Sequence, residues 1–531
     1  MDPDAFLWPL HRPPLQYPDA PYTRLLAETL ARSPDRTALI FHDQRLTFRE
    51  LDALANAAAH ALARCGVVRG DRVALFMSNR PEYVIAFFAI AKLGAVVTPM
   101  NPAYREAEVR YQLANAEARA VVVHETLYPI VAAVRSEAPE LRSIVYVGRD
   151  APAETVDFYA ALRAAPATPP PDPAIDPTRD LLALPYSSGT TGLPKGVMLT
   201  HRNLLSNHLQ FLAAGRISSS DTLLIFLPFY HIYGSMLMGT AIAAGATQVI
   251  MERFDLAESL ALGARYGVTL YYAVPPVVLA LAAAAPQAIG RAFAGVRYVM
   301  SGAAPLPPEL ARRGAALTGA AFLQGYGLTE AAPLTHLSPV DDPALIVPET
   351  IGVAVSDLED RIVDIETGER TLGVDEVGEL IVRGPQVMQG YWHAPEETAR
   401  ALRGGWLYTG DVARRDAHGY VTIVDRKKEM IKYKGFGIAP AELEAALFEH
   451  PAVADCAVIG KPDAEAGEIP IAFVVVRSGV TLGGEELLGF IAGRLAGYKK
   501  IREVEFVDAI PKNPSGKILR RVLKERTRGS T

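Results

Sequence analysis

Apolar strand-like runs alternate with helical ones throughout this chain. "RVALFM" stands before "PEYVIAFFAIAKLG", and "AVVVHE" before "TLYPIVAAVRSEA". Strands that alternate with helices in this way build βαβ units, so the pattern predicts an α/β architecture with largely parallel sheets. No repeat at a fixed period is visible, which sets solenoids and propellers aside. With 531 residues, half of them hydrophobic, the chain is long enough for several packed units. A Pro-rich stretch, "APATPPPDPAIDP" from Ala165 to Pro177, reads as a linker. Further on the texture changes to short strands with turns, "GELIVRGP" and "GYVTIVDR", and then to a dense run of charge in which Arg426, Lys427, Lys428, Lys432 and Lys434 are offset by Glu429. "AVADCAVIG" and "EIPIAFVVVRSG" beyond it read as strands of a second, smaller α/β unit. The boundary is placed near Asp425, giving a large N-terminal domain over 1–425 and a small C-terminal one over 426–531.

Composition excludes several classes of function. A net charge of −6 argues against wholesale binding to nucleic acid or acidic membranes, so any anion site has to be built locally. Two cysteines, Cys65 and Cys456, lie far apart and suit a reducing compartment without a disulfide framework. The start, "MDPDAFLWPLHRPP", carries acids and prolines where a secretory signal has a basic start and an apolar run, so the expected location is cytoplasmic. The most apolar segment, "VTLYYAVPPVVLALAAAA" from Val268, approaches the length of a membrane span. Pro275-Pro276 divides it into a strand-like and a helix-like half, which reads as buried core. The final "TRGST" is neither a peroxisomal address nor a prenylation box.

Between Ser187 and Gly196 runs "SSGTTGLPKG", with three glycines, four hydroxyls and one lysine. Glycines let backbone N–H groups approach an anion, hydroxyls add donors and the lysine adds charge, so a polyphosphate is the expected guest. The order of residues around Lys195 departs from the G-x-x-x-x-G-K-[ST] phosphate loop, because Pro194 precedes it and Gly196 follows. Val197 to Leu199 reads as a short strand and Thr200 as the N-cap of a helix running toward Gly215, so the loop joins two strands.

Eight stretches stand in order: "SSGTTGLPKG", "PFYHIYGSM", "SGAAPL", "QGYGLTE", "GELIVRGPQVMQGYW", "YTGD", "DRKKEMIKYKGFGIAPAELE" and "PKNPSGKILRR". With them the chain resembles the adenylate-forming superfamily, in particular acyl-CoA synthetases of the fatty-acid and 4-coumarate ligase branches. The resemblance implies a large domain of mixed sheets with helices, a small mobile C-terminal domain, and a two-step reaction. A carboxylate attacks the α-phosphorus of ATP and expels pyrophosphate, and the thiol of coenzyme A then displaces AMP. Because an anion attacks an anion, such chemistry needs positioning and cations more than a covalent nucleophile.

The resemblance also distributes roles over this sequence. Ser187, Ser188, Gly189, Thr190, Thr191 and Lys195 would hold the β- and γ-phosphates. Gln324, Gly325 and Tyr326 would meet adenine, Thr329 the α-phosphate, and Glu330 a magnesium ion. Asp411 would accept from the ribose hydroxyls with Arg426 in support. His231 would orient the carboxylate, and Tyr233, Gly234, Ser301, Gly302, Ala303, Ala304 and Ala331 would line an acyl tunnel, with Gly325 beside it. Lys517 would reach the α-phosphate and the attacking carboxylate, whereas Arg520 and Arg521 read as a solvated face. Lys428 matches the family hinge, and Lys432, Lys434, Gly435 and Phe436 the segment that meets CoA after the small domain turns. Arg253 is a further candidate for the CoA phosphates.

The expected substrate is a medium or long fatty acid, with an aryl acid of the 4-coumarate kind as the alternative. "GYGLTEAAPLTH" and "GPQVMQGYW" look like fatty-acid ligases, whereas "IKYKGFGIAPAELE" looks like the 4-coumarate branch. Other readings are a luciferase-like oxygenase, a ligase that loads a separate carrier protein, and a nucleotide sensor without turnover. With fourteen residues after Lys517, no fused carrier domain is expected, and a carrier would be a separate protein.

Overall fold

The computed structural model describes residues 10–187, 193–433, 436–463, 465–492, 494–495, 499–513 and 516–528. Four sheets organise them. In the first, the parallel strands Thr37–Phe41, Thr247–Ile250, Thr222–Ile225, Leu270–Ala273, Tyr298–Ser301 and Ala321–Gly327 lie side by side, closed at both ends by antiparallel partners. In the second, Leu181–Ala183, Val96–Pro99, Arg72–Phe76, Ala118–His124, Ser143–Val147 and Val156–Asp157 run parallel, and the hairpin strand Lys195–Thr200 adds on antiparallel. The third sheet is antiparallel, with Trp406–Arg415 at its centre between Gly378–Arg383 and Val421–Arg426. The fourth is built on the long pair Val453–Asp463 and Gly467–Val476.

Burial explains the parallel arrangement. Val73, Ala74, Leu75 and Phe76 are all inaccessible, because helices cover both faces of the second sheet, and alternation of polar with apolar residues is accordingly absent from the run. One continuous core joins the first and second sheets and extends into the third. The fourth sheet has cores of its own, formed by residues between Ile431 and Leu523.

Several local expectations are met. Thr200 caps the helix His201–Ala214, its hydroxyl accepting from Asn203 N while Asn203 reciprocates, and Gly215 ends it. The apolar run from Val268 divides at Pro275 into the buried strand Leu270–Ala273 and the helix Pro275–Ala282, since proline fits the first turn of a helix and cannot continue a strand ladder. The stretch 165–177 is irregular, as a linker should be, yet it is strapped down: Asn56 Nδ2 donates to Ala167 O and Arg69 to Pro173 O. Cys65 and Cys456 are free thiols. Among the described residues no helix is long and apolar enough to cross a membrane.

Candidate active site

Strand register brings the motifs together. The hairpin of Tyr186–Ser187 and Lys195–Thr200 pairs Ser187 with Lys195, and the same strand pairs Val197 with Tyr391 on its other edge. Parallel pairing of Ser301 with Gln324 delivers Gly302 and Gly325 to the carboxyl ends of neighbouring strands, where open α/β sheets receive ligands. The third sheet pairs Asp411 directly with Arg426. These edges surround a cavity of about 620 Å³, and Lys517 reaches it from the C-terminal unit.

The polar half of the cavity carries Ser187, Lys195, Tyr326, Thr329, Glu330, Asp411, Arg426 and Lys517. Ser187 Oγ donates to Glu330 Oε1 at 3.1 Å, and the Tyr391 hydroxyl donates to the same oxygen at 2.9 Å. Lys195 Nζ lies 3.4 Å from Glu397 and 5.6 Å from the centre of the Tyr391 ring. The Tyr326 hydroxyl donates to Asp411 Oδ2 at 2.5 Å, and Arg426 Nε lies 3.2 Å from Asp411 Oδ1. Burial raises the Asp411 carboxyl above its usual value, opposed by Arg426. Burial also holds the Lys517 ammonium down to about 8; Arg426 adds to that effect, while Glu429 and Asp411 resist it.

At the other end His231 caps the helix Ile232–Ala244, its Nδ1 accepting from Tyr233 N at 3.2 Å. That bond assigns the proton to Nε2, and burial lowers the imidazole to about 4, so the ring is a neutral donor at pH 7. Ile232, Tyr233, Met236, Met300, Gly302, Ala303, Gly325 and Leu334 complete this wall.

Not every residue expected here arrives. Gln324 is a strut: its amide nitrogen donates to Pro348 O at 2.6 Å and its oxygen accepts from Leu306 N at 3.2 Å, so only its neighbours Gly325 and Tyr326 line the cavity. Gly234 packs on backbone, where a Cβ would stand 2.1 Å from Pro228 O, and it forms no part of the cavity wall. Ser301 and Ala331 are fully buried and do not line the cavity, and neither does the half-buried Ala304. Arg253 and Lys432 are exposed and outside it, while Lys428 borders it. Phe436 begins the strand Phe436–Ile438. Ser188, Gly189, Thr190, Thr191, Lys434 and Gly435 lie outside the described residues.

Two groups escaped the sequence reading. Glu379, in "GELIVRGP", is buried; it accepts from Gly410 N at 3.1 Å and from Lys427 Nζ at 2.8 Å, tying the Asp411 turn to the segment before Lys428. Arg520 is no solvated residue: it bridges Glu429 at 2.7 Å and Glu444 at 2.6 Å, whereas Arg521 is exposed beside Glu525. The available signal was Leu523, fully buried three positions along the same helix face.

A nucleotide-sized cavity with a cationic rim, set at strand ends and reached by a lysine from a second unit, is the architecture of an adenylating ligase. The AMP-binding enzyme family model matches residues 26–392, and that of the AMP-binding enzyme C-terminal domain matches 442–517. The chain is 40% identical to 4-coumarate–CoA ligase 5 of Oryza sativa subsp. japonica over 98% of this chain and 97% of that one. It is 35% identical to the long-chain-fatty-acid–CoA ligase of Bacillus subtilis (strain 168), covering 96% and 95%. The crystal structure of ATP-bound MatB from Rhodopseudomonas palustris matches with a TM-score of 0.88 at 32% identity, covering 96% of this chain and 99% of that chain. The chain belongs to the AMP-binding, adenylate-forming family and is an AMP-forming acid–CoA ligase.

Proposed function

We propose that the acid activated here is compact and aryl, of the 4-coumarate kind. The observation that carries this reading is the size and wall of the cavity. About 620 Å³ has to take the nucleotide as well as the acid, and Met236, Met300 and Leu334 are bulky side chains in the wall near His231. The similarity to 4-coumarate ligases supports the same choice. A medium or long fatty acid is the second reading, favoured by the adaptable side chains of Met236 and Met300 and by the long-chain relative.

In the first step the acid's carboxylate oxygen bonds to the α-phosphorus of ATP as the bond to pyrophosphate breaks. Lys195 and the Ser187 hydroxyl face the departing phosphates, Lys517 balances charge between carboxylate and α-phosphate, and the neutral His231 donates to the acid. Asp411, held by Tyr326 and Arg426, receives the ribose hydroxyls. Glu330, whose carboxylate reaches the cavity between Ser187 and Tyr391, would hold a magnesium ion that arrives with the nucleotide, since magnesium is commonly bound through one carboxylate plus substrate phosphates. Such an ion would neutralise phosphate charge.

In the second step the CoA sulfur bonds to the acyl carbon, its proton passes to solvent, and AMP leaves. We place the boundary between the two domains at 425/426 and the hinge at Lys428, with Lys432, Lys434, Gly435 and Phe436 turning in to meet CoA. Lys517 in the cavity with Lys432 outside fits the first-step arrangement.

The test is AMP release with ATP, magnesium and CoA over a panel of cinnamic, benzoic and saturated acids. Turnover highest with hydroxycinnamic acids agrees with this reading. Highest turnover with decanoate or longer acids would replace it by the second.

A further inference from the structure

The Pro275-Pro276 step divides an apolar run, and helix initiation alone would need only one proline at that point. Pro276 has a second neighbour. Gly516, next to the lysine assigned to the first step, sits so close to it that a Cβ on Gly516 would stand 2.7 Å from Pro276 Cδ and 3.0 Å from its Cγ. Val274 Cβ is 3.8 Å from the same point. Gly516 also has φ +81°, a conformation that glycine adopts without penalty. Both the backbone angle and the space therefore require glycine where the C-terminal unit touches the large one.

The turn that carries Lys517 is held from within. Gly516 N donates to Asn513 O at 2.8 Å, Asn513 N donates to Lys517 O at 3.0 Å, and Lys517 N donates to Asn513 Oδ1 at 2.9 Å. These three bonds tie Gly516 and Lys517 to Asn513. The surface below is equally fixed, because Pro276 lies in the first turn of a helix whose Val277 and Val278 are buried in the large core. Pro276 itself does not line the cavity.

We propose that Pro276, with Val274, is the seat on which the Gly516 turn lands, and that it acts as a positioning residue for adenylation by holding Lys517 over the cavity. This inference rests on the assignment of Lys517 to the first step. When the small domain turns for thioester formation the contact is given up, so the seat has no part in the second step.

The test separates the half-reactions. The parent, Pro276→Trp, Lys517→Ala and the double variant are compared in single turnover. Adenylation is followed with ATP and 4-coumarate, or with decanoate should the alkyl acids be the ones turned over, and thioester formation with the matching acyl-AMP and CoA. An indole in the seat should lower adenylation at least about tenfold, the cost of displacing a charged group from its working position. It should leave thioester formation within about twofold and the melting temperature near the parent's. The double variant should lose no more than Lys517→Ala alone, because non-additivity marks residues that act through one another.

Parent-rate adenylation in Pro276→Trp, alongside a large loss in Lys517→Ala, would overturn the seat and leave the assignment of Lys517 standing. Unchanged adenylation in Lys517→Ala would overturn that assignment and the seat with it. Equal losses in both half-reactions would make Pro276 merely structural and also overturn the proposal. Should Pro276→Trp fold poorly, Pro276→Ala takes its place by removing the Cγ and Cδ that lie against Gly516: a loss confined to adenylation supports the seat, and parent-rate adenylation contradicts it.

Discussion

The two ends of the cavity are built differently. The nucleotide end is assembled by strand register: Ser187 opposite Lys195, Asp411 opposite Arg426, and Tyr326 at the end of a strand that reaches Asp411 by hydrogen bond. The end proposed for the acid is lined by side-chain volume, with Met236 from one helix, Met300 from a strand and Leu334 from another in its wall. Charge and hydrogen-bonding groups have few places to go in a fold, and a ladder fixes them in pairs. Apolar volume can be supplied from many positions, so the shape of a wall depends on which backbones crowd together.

The largest effect should come from the charged end. Lys517→Ala should lower adenylation about a hundredfold to a thousandfold, or roughly 3 to 4 kcal/mol, while thioester formation from supplied acyl-AMP persists; rapid-quench assays of each step measure both. Next, Asp411→Asn keeps the size and removes the charge facing Arg426. The KM for ATP should rise about tenfold with little change in the KM for the acid, the partial exposure of Arg426 moderating the cost.

The acyl end should respond to bulk, and only where the wall is. Ala303→Leu should alter the profile across the acid panel with stability unchanged, since Ala303 faces the cavity. Gly234→Ala should lower stability by about 1 to 3 kcal/mol, seen as a fall in Tm, because its methyl group meets the Pro228 carbonyl. A shifted acid profile with unchanged Tm in Gly234→Ala would put that position back on the wall. The smallest effect is one of pH. The Lys517 ammonium, held near 8, loses its proton as pH rises through that value, so adenylation should decline there; thioester formation should not share that limb. Initial rates of each step between pH 6 and 9.5 measure it.

The same contrast explains what was legible in the sequence. Strand and helix alternation, the Thr200 cap and the break at Pro275 follow from local chemistry, and the structure repeats them. Asp411 and Arg426 were readable together because fifteen residues of hairpin return one beside the other. The Gln324 side chain bonds away from the cavity because a strand turns successive side chains to opposite faces, and its motif does not reveal which face meets the cavity. Gly234 was not readable because a glycine serves equally as wall or as close contact, and the packing against Pro228 appears only in the fold. Arg520 looked like Arg521 because burial at the start of the final helix depends on Glu429 and Glu444, supplied from far earlier in the chain.

In the proposed mechanism this cavity makes an acyl adenylate before CoA takes part. Exchange of labelled pyrophosphate into ATP tests it most directly, because only reversal of the first step returns the label. Exchange should require the acid and magnesium, proceed without CoA, and fall at least a hundredfold in Lys517→Ala. Exchange that appears only when CoA is present, or that continues at the parent rate in Lys517→Ala, would contradict it.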